Sequence, residues 1–416
     1  MGILARLGAR LGLVRQGETG ISNSAELADL LAGGMTTRSG VPLSPMTALG
    51  VATVLACVRV IAEGLGALPI ALHRRTAEGS TPETNHPAAW LLDAPNEWMT
   101  WQELAETLTI HAALAGDGFG LIQRGIADRP IGILPLLPAM VRHKQGANWR
   151  VTYTVTWPDG RQGEVSWRDM LHIRGPSWDA VGGMKVVTLA REAIGLAAAM
   201  EWVQAQHFGK GGRPSGYLST DKPSVTEQQA EDWKRRWGKM FGGNEAGGVA
   251  VLANGAKFTP LTFDFVSAQT LDARRMQVEE ICRAFRVFPQ MIGAQEKAST
   301  YASAESFFTA HAVHTLGPWA KRWELTLARD LLTERQRGAM FFRIDMRALM
   351  RADAQSRGEF YAKALGAGGS AAFMTPNEVR EAEGLNRLPG LDKVPQPALA
   401  PAAPDPTPES ESPPAE

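Results

Sequence analysis

His311 and His314 stand three residues apart in a helical run, a spacing that sets two imidazoles on one helix face and could serve a metal ion. A zinc site of the HExxH type also needs an adjacent glutamate and a further ligand, and neither accompanies this pair. Two ordinary helix histidines are the simpler reading. The run GKGGRPSG, Gly209 to Gly216, offers glycines and a lysine as a phosphate loop does. It lacks the P-loop spacing and follows a helix rather than opening one, so helix amides would not converge on a phosphate there. GDGFG, Gly116 to Gly120, is too short for a dinucleotide fingerprint and reads as a turn. No GxSxG elbow occurs. Adjacent carboxylates such as Glu279 and Glu280 are usual on a solvated helix face, and acid–base work needs geometry as well as residue type. These runs compose no active site. No cofactor and no metal are expected, and an enzyme is the weaker hypothesis.

Cys57 and Cys282 lie far apart, each in an apolar helical context. Two cysteines are too few for a disulfide framework or a thiolate zinc site, so both read as small buried apolar residues, a usage that fits a reducing cytoplasm. Lys plus Arg equals Asp plus Glu at 43 each, which makes the net charge zero. A protein that grips nucleic acid by neutralising phosphates carries a basic excess, so any contact with DNA should be local or loose. Lys234, Arg235, Arg236 and Lys239 crowd around Trp233 and Trp237. That cluster suits a DNA-facing surface, a protein-facing one, or a solvated helix face with tryptophan anchors.

The elements that must position these residues follow from periodicity. Hydrophobic content of 44% with 21% charged residues is a globular balance, and the length calls for two or three subdomains. Residues 16–43 are rich in small and polar types and read as a mobile arm. The longest apolar candidate for a membrane span, VPLSPMTALGVATVLACV, is broken by Pro42 and Pro45 and fits a buried helix, so a soluble chain is expected. Leu49, Val54, Val58 and Ile61 give a helix over 46–63, and ALPIALHRR gives a strand. Thr100 and Glu103 form a capping box for the helix that precedes a strand at 119–124. Residues 131–174 read as β, with a hairpin at PDGRQG. Long helices follow at 188–208, 267–285 and 304–333, then a strand at MFFRIDM and helices at 347–365 and from Pro376. The tail from Pro395 is rich in Pro, Ala and acid and cannot bury enough surface to order itself. The fold class is α+β.

Leu189, Ala193, Leu196, Met200 and Val203 repeat at the alternating spacing of a packed helix seam, and Leu271, Val278 and Ile281 continue the rhythm on the later helix. Such seams serve either a hairpin within the chain or contact with a second copy.

Taken in order, ACVRVIAEGLGALPIAL, HPAAWLLDAPNEWMTWQEL, ILPLLPAMV, MLHIRG, AREAIGLAAAMEWVQAQHFGKGGRPSGYL, RRMQVEEICRAFRVFPQMIG, HTLGPWAKRWE and TPNEVREAEGLNRLPG resemble the portal proteins of tailed bacteriophages, in the family common to long-tailed phages. The likeness runs from about Val41 to Asp392. Four local motifs depart from the family: GDGF, FGKGG, DAVGG and MKVV. The compact length also resembles portals of phage-derived gene transfer agents.

The resemblance implies a portal-type α+β subunit, one of a ring of twelve, at a capsid vertex of a virion assembled in the host bacterial cytoplasm. It implies a flexible arm at 1–43, a wing at 44–187 and 286–345, and stem helices at 188–212 and 263–285. A small α/β clip is expected at 213–262, a helical crown at 346–394, and a disordered tail at 395–416. Double-stranded DNA would pass through the ring without sequence readout. The terminase large subunit, a head–tail adaptor and the major capsid protein would dock on it, and no membrane is involved. Gln295, Glu296, Lys297, Ala298, Ser299 and Thr300 fall where portals carry the tunnel loop (about 293–303), with a plain surface loop as the alternative. Arg213, Lys234 and Arg235 are candidate basic residues of the clip or channel. Another non-catalytic head–tail protein is the competing identity, and a DNA-processing enzyme is a more distant one.

Overall fold

The computed structural model describes residues 35–209, 216–220, 256–260, 268–294, 301–352, 354–367 and 371–395, with a few single positions between 226 and 235. The chain divides into a unit ending at Met346 and a second beginning at Arg347.

Helix α1 (Ala52–Gly66) turns Val54, Cys57, Val58, Ile61 and Leu65 inward, the three-and-four spacing of a core stripe. A separate turn, Pro45–Ala48, precedes it, capped by Ser44 and Thr47. The single helix expected over 46–63 is therefore broken near Gly50. Strands β1 (Ile70–Thr76) and β2 (Gly79–Pro82) follow. Helix α2 (Trp101–Ala115) opens with the expected capping box, in which the Thr100 amide donates to Glu103 at 2.7 Å. Gly116 ends it in the left-handed region at φ 90°, where glycine avoids the Cβ penalty.

Strands β3 (Asp117–Arg124), β4 (Pro130–Leu136), β5 (Val141–Gln145), β6 (Val151–Thr156), β7 (Gln162–Val165) and β8 (Met170–Arg174) build the β region. They pair antiparallel in two sheets, ordered β8-β3-β4 and β5-β6-β7. GDGFG is thus a helix cap running into a buried strand, not merely a turn. A Cβ at Gly118 would lie 2.2 Å from the Leu108 carbonyl oxygen, so only glycine lets α2 approach β3 this closely. Phe119, Leu136, Val141, Tyr153, Val155 and Met170 close a core between the two sheets.

Helix α3 spans Arg191–Gly209 and follows a single turn at Val186–Leu189, with a break at Ala190 in the helix expected over 188–208. Strands β9 (Gly216–Thr220) and β10 (Ala256–Pro260) pair antiparallel. Helix α4 covers Ala268–Phe285. Helices α5 (Tyr301–His311) and α6 (Gly317–Leu331) are joined by a π-helical turn at Ala312–Leu316. Pro318 has no amide hydrogen and would clash with the carbonyl four residues back, which gives the widened turn its cause. Trp323 on α6 is fully buried, donates through Nε1 to Thr109 Oγ1 at 3.0 Å, and meets Trp101 edge-on at 5.4 Å. Strand β11 (Met340–Ile344) completes a sheet ordered β11-β1-β2. All the strand pairs among the described residues are antiparallel, in keeping with an α+β chain.

The second unit contains α7 (Ala354–Ala364) and α8 (Pro376–Ala382), the latter capped by Thr375 and Glu378. Asn377 is fully buried and ties the following loop to α8. Its Nδ2 donates to Leu388 O and to Asp392, both at 2.8 Å, and its Oδ1 accepts from the Leu388 amide at 2.9 Å.

Candidate functional site

Helix α3 is rooted by one face. Ile194 is fully buried, and a Cβ on Gly195 would lie 2.6 Å from Thr37 Cγ2. Residues 35–43, expected within a flexible arm, are seated here. Met35–Thr36 pairs with Pro42–Leu43, and the Arg38 amide donates to Glu192 at 3.0 Å. Helix α4 lies beside α3, with Arg274 donating to Gln204 at 2.7 Å. At its other end Ile281 and Cys282 are fully buried, and Cys282 Sγ stands 3.8 Å from Cys57 Sγ on α1. The two cysteines are buried as expected. That they are neighbours was invisible in a sequence that separates them by 225 positions.

The expected seam divides. Ile281 packs into the unit, while Ala193, Met200 and Val278 are half-buried. Leu189 is 70% exposed, Leu196 43% and Val203 41%, with Trp202 beside them at 65%. Leu271 lies on α4, and its side chain is outside the described residues. Contact between α3 and α4 within the chain therefore leaves Leu196, Trp202 and Val203 of α3, and Leu189 of the turn before it, in solvent.

Gln295, Glu296, Lys297, Ala298, Ser299 and Thr300 lie outside the described residues, as do Arg213 and Lys234. What brackets the loop is described. Phe288 leads into a tight turn at Pro289–Ile292, Gly293 adopts φ 78°, and α5 begins at Tyr301. Arg235 is exposed and ion-paired with Asp232 on its own helical turn.

His311 and His314 do not share a face. The π-helical turn leaves His311 buried and His314 exposed. Among the described residues no cluster of three or more His, Cys, Asp or Glu could hold a metal, and no helix is long and apolar enough to cross a membrane. Glu279 and Glu280 sit on the α4 surface, bonded to Arg283 and Gln277.

The structure also holds a polar chain that the sequence reading missed. Asp117 Oδ1 is 2.8 Å from His172 Nε2 and accepts from the Gly183 amide at 2.7 Å, and His172 Nδ1 is 3.0 Å from the Tyr153 hydroxyl. Burial lowers the His172 pKa to about 4, partly offset by Asp117, so the ring is neutral near pH 7. Nε2–H then donates to Asp117 while Nδ1 accepts from Tyr153. Burial pushes the Tyr153 phenol up to about 12. The order of groups resembles an acid–base relay, but all three are at most 5% exposed, which leaves a substrate no approach. The chain is a buried network that ties β3, β6 and β8 together. Its signal was an Asp and a His inside apolar strands, where each needs a partner.

Paired helices with exposed apolar side chains, joined to small antiparallel sheets, are the architecture by which this chain compares with known folds. The chain belongs to the phage portal protein family, whose model matches residues 52–384. It is 28% identical over 348 residues to the portal protein of Enterobacteria phage HK97, covering 83% of this chain and 81% of that one. It is 29% identical over 373 residues to a probable portal protein of Streptomyces phage phiC31, covering 86% and 79%. Its fold matches a chain from the neck of a native gene transfer agent particle computed with C12 symmetry, at TM-score 0.55 and 22% identity, covering 87% of this chain and 99% of that one. Portal proteins are structural rather than catalytic, and they form ring oligomers within particles.

Proposed function

We propose that this chain is the portal subunit of a virion or gene transfer agent particle, the head–tail connector at one capsid vertex, and that twelve copies close the ring. The observation that carries the ring is the exposure of Leu196 and Val203 on α3, and of Leu189 on the turn before it, despite the packing of α3 on α4. Copies meeting along this stem would cover these side chains. In this reading 44–187 and 286–345 are the wing, 188–212 and 263–285 the stem, 213–262 the clip, and 346–394 the crown.

Double-stranded DNA passes through the centre during packaging and ejection. A conduit must let the duplex slide, and a net charge of zero avoids the many simultaneous phosphate contacts that hold DNA in place. The loop Gln295–Thr300 faces the channel in this reading, where Lys297 reaches a phosphate and Glu296 keeps the ring from becoming a trap. Arg213, Lys234 and Arg235 act through local field rather than base readout. The clip receives the terminase large subunit and later the head–tail adaptor, and the wing meets the major capsid protein. Sedimentation or native mass measurement of the purified chain, with negative-stain imaging, tests the ring. A chain that stays monomeric both alone and in particles overturns it.

A further inference from the structure

On the first unit, a cleft of about 690 Å³ opens between Asn85–Trp90, the loop at Arg124–Pro130, Trp167–Arg168 and the segment Arg329–Arg337. Its floor is fully committed. Arg124 donates to Asp169 at 3.0 Å and to the Asp330 carbonyl at 2.9 Å, and Arg329 grips the buried Asp330 carboxylate through two bonds of 2.6 and 2.7 Å. The rim is not. Arg129, Arg168 and Arg337 are exposed and meet no carboxylate among the described residues. Arg168 lies over the Trp167 ring at 5.5 Å, and Trp90 is 58% exposed although its indole N–H is bonded to the Thr84 carbonyl. Two rim carboxylates oppose them: Asp128, which lies 3.5 Å from Arg124, and Glu334.

We propose that this cleft docks an extended, acidic, proline-bearing segment of a protein partner. Its carboxylates would lie on Arg129, Arg168 and Arg337, and its pyrrolidine rings against Trp90 and Trp167. A guanidinium matches a carboxylate through two parallel bonds, and Arg and Trp are the residues that dominate binding energy at protein interfaces. Proline-rich strands are stiff before they bind, lose little entropy on docking, and pack on aromatic grooves. A duplex fits less well. It is a convex rod that gains affinity by phosphate neutralisation, and Asp128 and Glu334 on the rim would repel it.

The test uses purified full-length protein and does not depend on the ring, because it reads peptide binding while particle mass is followed separately. The probe is a fluorescein-labelled, amidated peptide of sequence PAAPDPTPESESPPAE. This is the 401–416 stretch of the chain, with Asp405, Glu409, Glu411 and Glu416 and no cation. A version with these four as Asn or Gln, and a short DNA duplex, serve as comparisons. Saturable, salt-sensitive binding of the acidic peptide is expected, weakened by at least about tenfold in R129E/R168E/R337E and in W90A, with the neutral peptide not bound. Arg168→Gln alone provides a milder variant should the triple one misfold. Equal binding to wild type and variants, or no binding of the acidic peptide, overturns the proposal. Two further results also overturn it: loss of duplex binding instead, which makes the cleft a nucleic-acid contact, and loss of ring mass in folded triple variant, which makes it a contact between copies.

Discussion

Replacing Leu189 and Leu196 together with glutamine separates assembly from folding. In the single chain these side chains are 70% and 43% exposed, together a little over one leucine of apolar surface still facing water. Fully burying one leucine is worth about 1.5–3 kcal/mol, so covering this surface at each subunit contact supplies about 2–3 kcal/mol. Glutamine removes that gain and adds the cost of desolvating two amides, about 0.5–2 kcal/mol each where partners are incomplete. Each contact should therefore weaken by roughly 3 kcal/mol or more, a factor of about a hundred or above in its dissociation constant. Because glutamine is a good helix former and both sites face solvent, fold stability should move by no more than about 0.5 kcal/mol.

The control is Ile194→Ala on α3, where the side chain is fully buried. It should cost about 2–5 kcal/mol of fold stability. Native mass or sedimentation reads assembly, and chemical denaturation of the dissociated chain reads folding. The double glutamine variant should shift the population from rings to small species at concentrations where wild type is fully assembled. Ala198→Trp should act in the same direction if the small-residue face also meets a neighbour. Rings of unchanged mass on dilution, or a double variant as unstable as Ile194→Ala, would refute the assignment of this stripe to a subunit contact.

Acid should loosen the fold through His172. Its folded pKa near 4 lies below the ordinary 6.5, so the unfolded chain binds the proton first, and stability present above about pH 6.5 is lost as pH falls towards 4. About 2 kcal/mol should go between pH 7.5 and 5, read as the difference in urea stability slopes between wild type and His172→Gln. His111, also held near 4 by burial, contributes to both proteins and cancels, and equal slopes would remove His172 as the source. Gly118→Ala should destabilise by about 1–3 kcal/mol or more, because the new methyl would lie 2.2 Å from the Leu108 carbonyl oxygen, and a melting temperature equal to wild type would contradict that contact. Deletion of 396–416 should leave ring mass unchanged, since the segment has no aromatic residue with which to build a core, and loss of assembly would give it an active part.

What the sequence disclosed depended on whether the cause was local. The Thr100–Glu103 capping box, the PDGRQG hairpin and the helix from Pro376 are set by residues within a few positions of one another, and they stand where their patterns put them. The order of short motifs likewise carried the family, because many weak marks in one sequence are specific together. Contacts across the chain were not legible. Nothing near Cys57 announces Cys282, and Asp117 finds His172 only after β3 and β8 pair, a register fixed by both strands at once. The α3 seam shows the boundary most clearly. Periodicity gave the stripe Leu189, Leu196 and Val203 but could not say whether the chain itself would cover it. Ile194 and Gly195 on α3 take the intrachain contact, while Leu189, Leu196 and Val203 stay exposed in the single chain.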